Sequence, residues 1–372
     1  MAEQFNIGAI PESAPRHDSI TKDVEYAYRT LVVPEGGAQP RLENRRINTE
    51  VPPFSDYFSE TERLGDAQGV QLLKRKFEES SNVAVEVVEG KIFGQVLDGL
   101  FYDSMSSVFS VPGAVQVTSE FDDYVNRTDF IVNISKDAEK PHYLLVDTTT
   151  QSASDNLKRK LLPKRDNLPN HAGFRQDIKY VVRHQKDKQE IGLKQQPRIV
   201  AALDHEGIAL LAKKFSGKDR HDFEQASSYI FLSQALEQLE RQNAYVKENM
   251  TKFKDAGVLI GEYNAYIEIL SPLVEEGRNA FKENAEIKNL VKNLPIKTII
   301  PELFPIESDQ VASADELAAY RRAYTAITSP KIEKPKEPIV SLGGSNPILR
   351  LKKKTPENLS EETKTLNDQS AA

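Results

Sequence analysis

Apolar residues recur at helical spacing over several long stretches, separated by short runs in which the period changes. Over residues 91–109, Ile92, Phe93, Val96, Leu97, Leu100, Phe101, Met105 and Val108 form a wide apolar face, which predicts a helix packed on a core. A helix is also expected over residues 61–77. The period then shortens. Residues 115–117, 128–134 (TDFIVNI) and 142–148 (HYLLVDT) read as three strands, and the near-continuous apolar centre of the third suits a strand covered on both faces. A Ser-rich turn leads to a short helix over 154–162. Residues 178–183 suit either a strand or a helix. PRIVAAL at 197–203 reads as a buried strand, followed by a helix over 204–215.

From residue 222 to about 293 the pattern is helical. Phe223, Ala226, Tyr229, Ile230, Leu232, Leu236 and Leu239 form one stripe, and Val258, Leu259, Tyr263, Tyr266, Ile267, Ile269 and Leu270 another. Breaks near residues 257–261 and at Pro272 divide this region into three expected helices. SADE at 313–316 is a capping box that starts a last helix reaching about residue 327. The expected organisation is an irregular N-terminal arm (1–60), an α/β core (61–220), a helical module (221–328) and a disordered, Pro- and Lys-rich tail (329–372). The arm is expected to dock through Tyr26, Tyr28 and the apolar triplet at 31–33. The fold class is α/β (α+β), a mixed sheet flanked by helices.

Composition narrows the chemistry. The chain has no cysteine, which removes disulfides, thiolate zinc sites, iron–sulfur clusters and cysteine nucleophiles. Carboxylates remain as the principal metal ligands. No histidine pair has helical metal-site spacing, no serine lies in a nucleophile-elbow context, and no glycine-rich phosphate loop follows a strand. The sequence has no signal-peptide pattern and no apolar run of membrane-spanning length, so a cytoplasmic protein without a membrane partner is expected. The formal charge of −7 (49 Lys+Arg against 56 Asp+Glu) argues weakly against nucleic acid.

Two features carry candidate chemistry. Asp129 opens one expected strand and Asp147 closes the next, so pairing of these strands brings both carboxylates to one end of a sheet. Alternation puts Asp129 on the face of Ile131 and Asn133, and Asp147 on that of Tyr143 and Leu145. Two such carboxylates suit a hard cation, Mg²⁺ or Mn²⁺. An Asp before Thr148-Thr149-Thr150 also suits a turn or a helix cap, and both readings stand at this stage. The second feature is a basic block at 157–200, with twelve Lys/Arg against four acids. In it Arg159, Lys164, Arg165, Arg175, Lys179 and Arg183 are candidate phosphate contacts. A solvated helix face with a charged loop is the competing reading. Asp122 and Asp123 are expected to be solvated loop residues, and Glu120 a spare ligand.

The helix–three strands–helix–strand order, with Asp129 and the triplet Asp147-Thr148-Thr149, resembles the PD-(D/E)XK (restriction-endonuclease-like) nuclease superfamily over roughly residues 85–215. The resemblance implies metal ligation by Asp129 and Asp147 and catalysis in which Thr149 stands where the family has its lysine. Lys158 or Lys160 on the following helix could take that lysine's place. The glutamate of the family's first helix has no clear counterpart. Gln95 stands near its position, and Glu89, just before the expected helix, is the candidate third ligand. The implied function is a Mg²⁺- or Mn²⁺-dependent nuclease, or a nuclease-like protein that binds nucleic acid. The alternative is a catalytically inactive interaction protein on the same fold, with the helical module as its protein interface.

Overall fold

A computed structural model of the chain describes residues 20–32, 45–51, 53–80, 85–109, 113–135, 141–150, 154–161, 175–185, 188–253 and 255–304. The expected helix at 313–327 and the tail lie outside these residues. The described chain is a mixed α/β structure whose five-stranded sheet is flanked by helices. The strands are β1 (Val115–Val117), β2 (Phe130–Asn133), β3 (Tyr143–Thr149), β4 (Arg175–Gln185) and β5 (Lys188–Ala202), in spatial order β1-β2-β3-β5-β4. β1, β2 and β3 form an antiparallel meander, β3 pairs with β5 in parallel, and β4 and β5 form a long antiparallel hairpin.

β5 therefore has two partners along its length. Its first part pairs with β4 up to Pro197↔Arg175, and its last part pairs with β3 from Arg198↔Leu145 to Ala202↔Thr149. The hairpin settles the ambiguity at 178–183 as strand. It also corrects the charged loop expected before residue 197, because cross-strand pairing orders a segment of little apolar content.

Alternation along β2 and β3 divides the interior. Phe130, Val132, Leu144 and Val146 face the main core, while Ile131 and Leu145 pack with Ile178, Val181 and Leu193 of the hairpin. The main core is completed by α4 (Val85–Val108), on which Phe93, Val96, Leu97, Leu100, Phe101 and Met105 are buried as the periodicity predicts. The helix before it is α3 (Glu60–Ser80), after the short α2 (Phe54–Tyr57).

The N-terminal arm differs from expectation. Residues Lys22–Leu31 form helix α1, capped by Thr21 and burying Val24, Ala27 and Tyr28. Tyr26, expected to dock, is exposed. α1 packs on α4 and on α7 (His205–Ser216). A β-carbon at Gly99 would stand 2.7 Å from Leu31 Cβ, so the bare backbone there permits the approach.

From residue 220 to residue 303 the described chain is mostly helical: α8 (Arg220–Glu248), α9 (Ala256–Ala280), α10 (Ala285–Lys292) and α11 (Pro295–Leu303). α9 continues through Pro272, correcting the break expected there; the interruption falls instead between Glu248 and Ala256. α8 lies against β5 and α4 and shares their core, so these helices are built onto the sheet.

The α8–β5 contact is polar at its centre. Past Pro197, β5 has no strand on the side away from β3, and the side chains of Gln234, Gln238 and Gln242 take that place. Val200 N–H donates to Gln238 Oε1 at 2.8 Å, and Gln238 Nε2 donates back to the Val200 carbonyl at 2.8 Å. Ala202 N–H donates to Gln234 Oε1 at 2.8 Å, and Gln242 Nε2 reaches the Arg198 carbonyl at 3.4 Å. The four-residue spacing puts the glutamines on one helix face, and they satisfy backbone groups that would otherwise be buried without partners. No described helix is long and apolar enough to cross a membrane.

Replacing Gln238 by Leu leaves one N–H and one C=O of β5 buried and unpaired. At about 1–3 kcal/mol for each orphaned group, the variant should lose roughly 2–6 kcal/mol in urea unfolding. Gln242→Leu, whose printed bond is longer, should lose less.

Candidate active site

The carboxylate end of β3 is where the charged side chains gather. Asp147 is 3% exposed. Its Oδ1 accepts from Lys160 Nζ at 2.7 Å, and its Oδ2 from Arg198 Nη2. Lys160 comes from α6 (Ser154–Leu161), where Leu157 and Leu161 are buried and seat the helix on the core. Its ammonium also donates to the Thr148 carbonyl at 3.0 Å. Arg198 stands at the point where β5 changes partners. Besides Asp147 it binds two backbone oxygens, Lys160 O through Nη1 at 2.7 Å and Arg127 O through Nε at 3.1 Å. Arg127 has a positive φ of 54° in the loop before β2, an uncommon conformation for a residue with a side chain.

Asp129 takes a different direction from that expected. Its Oδ2 accepts from Thr148 N–H at 2.7 Å and lies 2.9 Å from Thr148 Oγ1. The same hydroxyl bonds Asp98 Oδ1, from α4. Thr148, between the expected site residues Asp147 and Thr149, thus joins a carboxylate at the start of β2 to one of α4. Asp123 completes the group. It lies in α5 (Glu120–Tyr124), whose N-cap is Ser119, close enough to Asp129 for their charges to interact, and it pairs with Arg46 Nη2 at 2.7 Å.

Neither Asp122 nor Asp123 is a solvated loop residue. Asp122 is fully buried and accepts from the Lys179 and Tyr180 amides at 2.9 and 3.0 Å, so it anchors α5 to β4. Glu120 pairs with Lys74 at 2.7 Å.

Crowding of these acids changes their protonation. Burial, followed by the charges of Asp147, Asp123 and Asp98, pushes the Asp129 carboxyl well above the ordinary aspartate range. Burial raises Asp98 to about 6, opposed by its bond from Thr148. It also raises Asp123, opposed by Arg46. A single hydroxyl proton cannot serve both Asp98 and Asp129, and the raised pKa values of these buried acids favour a proton retained within the group. Burial depresses the Lys160 ammonium, but Asp147 and Asp129 outweigh it and hold the group above the usual lysine value. Lys160 is charged at neutral pH.

Of the expected site residues, the fold brings together Asp129, Asp147 and Lys160. Lys158 is excluded from this group, since its Nζ turns to Glu302 of α11 at 2.5 Å. Thr149 is buried in the strand, its carbonyl accepting from Leu203 N–H. Glu89 lies inside α4, which begins six residues earlier than expected. It is nine residues, or about 13 Å along the axis, from Asp98. Asp98, on the same helix, is the acid that reaches Thr148 beside Asp129. Its sequence signal is a charged residue set within an apolar stripe, between Leu97 and Leu100. Arg198 and Arg46 had no signal beyond their charge.

The expected phosphate contacts are partly used up internally. Arg175, 6% exposed, pairs with Glu262 of α9 and donates to the Gln195 carbonyl. Lys179 pairs with Asp66 at 2.6 Å and Glu62 at 2.8 Å, over the Phe58, Phe121 and Tyr180 rings. These pairs hold α3 and α9 to the hairpin. The side chains of Arg159 and Arg183, and Lys164 and Arg165 entirely, lie outside the described residues. His205, the first residue of α7, stacks on Phe93 with ring centroids 4.1 Å apart. Among the described residues, no three acidic or histidine side chains are grouped at metal-ligand spacing. No protein-family model, curated protein or solved structure matches the chain.

The carboxyl of Asp98 titrates near 6 in the fold, above its unfolded value, so the native state binds the extra proton. Its contribution to stability is full below about pH 4 and is lost as pH rises through about 6. Asp98→Asn should therefore stabilise the protein relative to the unmodified chain increasingly between pH 4 and 7, by at most about 3 kcal/mol. Urea unfolding in EDTA across that range measures it.

Proposed function

We propose that the chain is a metal-dependent nuclease-like protein of the PD-(D/E)XK type, using Mg²⁺ or Mn²⁺ to act on nucleic acid. The observation that carries this reading is the delivery of Lys160 from α6 to Asp147, next to the residue on which Asp98 and Asp129 meet. The order α4, β1-β2-β3, α6, β5, with β3 and β5 parallel, supports it. So does the presence of an acid, Asp98, on the first of these helices. The hairpin strand β4 is an addition to that order.

The donors are of the type a hard divalent cation takes, although no three described acids stand at metal-ligand spacing while Lys160 and Arg198 hold Asp147. They are carboxylate oxygens whose mutual repulsion and desolvation a cation would relieve. Asp98, Asp129 and Asp147 would have to turn from their present partners to hold the ion, which would lower the pKa of a water and neutralise charge at a phosphodiester. Lys160, being charged, does not act as a base. Its ammonium orients the attacking water and stabilises the negative oxygens at phosphorus, a fixed charge at 31% exposure.

One observation favours the catalytically silent alternative. Both Asp147 oxygens are already engaged, by Lys160 and by Arg198. In that reading the charges lock β3, α6 and β5 together, and the protein works through an interface.

The two readings separate in one assay of the full chain with single- and double-stranded DNA and RNA. The nuclease reading expects cleavage with Mg²⁺ or Mn²⁺ that EDTA stops. Asp147→Asn, Asp129→Asn or Lys160→Gln should each lower it about 10²-fold or more. Cleavage that survives Asp147→Asn unchanged sinks that reading. No cleavage of any polymer, with no Mn²⁺-induced rise in melting temperature, favours the silent one.

A further inference from the structure

The charges at the end of β3 are nearly balanced without any ligand. Asp98, Asp123, Asp129 and Asp147 face Arg46, Lys160 and Arg198, so the fully ionised set carries one negative charge. Adding a divalent cation to this desolvated set leaves a surplus of one positive charge, and any proton retained by an aspartate makes the surplus larger. Buried charge without a partner is costly, so the surplus must leave or be met by an anion.

The two side chains that hold Asp147 are placed to meet it. Lys160 and Arg198 occupy one carboxylate oxygen each, the positions from which a cation would be coordinated. Neither is a free surface charge, as Arg198 is 11% and Lys160 31% exposed. Arg198 also donates to the Arg127 and Lys160 carbonyls, through Nε and Nη1, so only its Nη2 is committed to Asp147. With the guanidinium anchored through those two nitrogens, Nη2 can exchange Asp147 for another anionic oxygen, such as one of a phosphate, without the group moving.

We propose that Lys160 and Arg198 are built-in counter-ions that exclude the divalent cation from Asp147 until a phosphodiester arrives to take them up, so that cation and nucleic acid bind as a coupled pair. The inference rests on the metal-dependent reading above and concerns its regulation. One phosphodiester brings one negative charge, which returns the set to neutrality. Coupling of this kind is reciprocal: the polymer tightens the cation as much as the cation tightens the polymer. A chain without bound nucleic acid then carries no resident metal, and the site is assembled on its substrate.

The test is Mn²⁺ binding by the full-length chain, followed through the resonance signal of the free ion, with and without a short oligonucleotide. Asp147→Asn serves as the blank for Mn²⁺ held by the oligonucleotide itself. The unmodified chain should bind Mn²⁺ about tenfold or more tightly with the oligonucleotide present. Arg198→Gln should bind Mn²⁺ at that higher affinity without the oligonucleotide and lose the dependence on it. Should Arg198→Gln fail to fold, as its circular dichroism would reveal, Lys160→Gln, altered at a more exposed side chain, decides the same question. Equal Mn²⁺ affinity with and without oligonucleotide, in a chain whose binding Asp129→Asn abolishes, overturns the coupling and leaves the metal site standing. No Mn²⁺ uptake by the unmodified chain under either condition overturns both.

Discussion

The described structure turns on a carboxylate that has no access to water. Asp147 ends a central strand, and an ionised group so placed must be paired or the fold loses several kcal/mol. The pairing comes from two elements separated in sequence: Lys160 from the helix after β3, and Arg198 from the strand parallel to it. Each bond also fixes a backbone relation. Arg198 reaches the carbonyl of Lys160 and that of Arg127, so one guanidinium ties α6, the loop before β2 and the end of β3. The local architecture is the set of positions from which Asp147 can be neutralised.

Those positions exist because β5 changes partners at Arg198. Up to Pro197 it belongs to the hairpin with β4, and proline is tolerated where one pairing ends. Beyond it the strand enters the sheet beside β3 and presents one unpaired edge. The glutamine ladder of α8 closes that edge at Arg198, Val200 and Ala202. The helices after residue 216 therefore hold the strand that holds the charge, and they share its core. Close backbone approach continues outward, since Gly277 of α9 meets Tyr229 of α8 where a β-carbon would lie 2.6 Å from Tyr229 Cβ.

Elements with a strong apolar period were readable from the sequence. The α4 face, the β2–β3 pair, the buried end of β5 and the α8 stripe all have side chains whose burial is periodic, and burial is what the pattern reports. The segments that were misread are held by other forces. The β4–β5 hairpin is rich in charge and is ordered by cross-strand bonds and by the Lys179 and Arg175 ion pairs. α5 is five residues long and depends on the buried carboxylate of Asp122. α1 is a short helix whose three buried residues make sense only against α4 and α7. At the candidate site, Asp129, Asp147 and Lys160 were legible because strand ends and the following helix have a fixed relation. Asp98 is hidden by its setting, an aspartate inside the apolar stripe of α4 and well past the helix start. Arg198 was counted only as one charge among twelve, and its role depends on β5 pairing that no local signal encodes.

The basic block shows why a charge count is a poor guide to a surface. Its surplus of eight suggested a phosphate-binding face. Yet Lys158, Lys160, Arg175, Lys179 and Arg198 all end on carboxylates from other elements: Glu302, Asp147, Glu262, Asp66 with Glu62, and again Asp147. Their partners lie largely outside the block, so the local excess of cations is the complement of the acidity elsewhere in the chain. Most of these pairs fasten one element to another and have no reason to open. The Asp147 triad differs, because three further carboxylates crowd the same place and raise the cost of keeping it closed. Of the pairs these five cations make, it is therefore the one in which an exchange of partners relieves crowded charge, and that distinction separates a charged strut from a site.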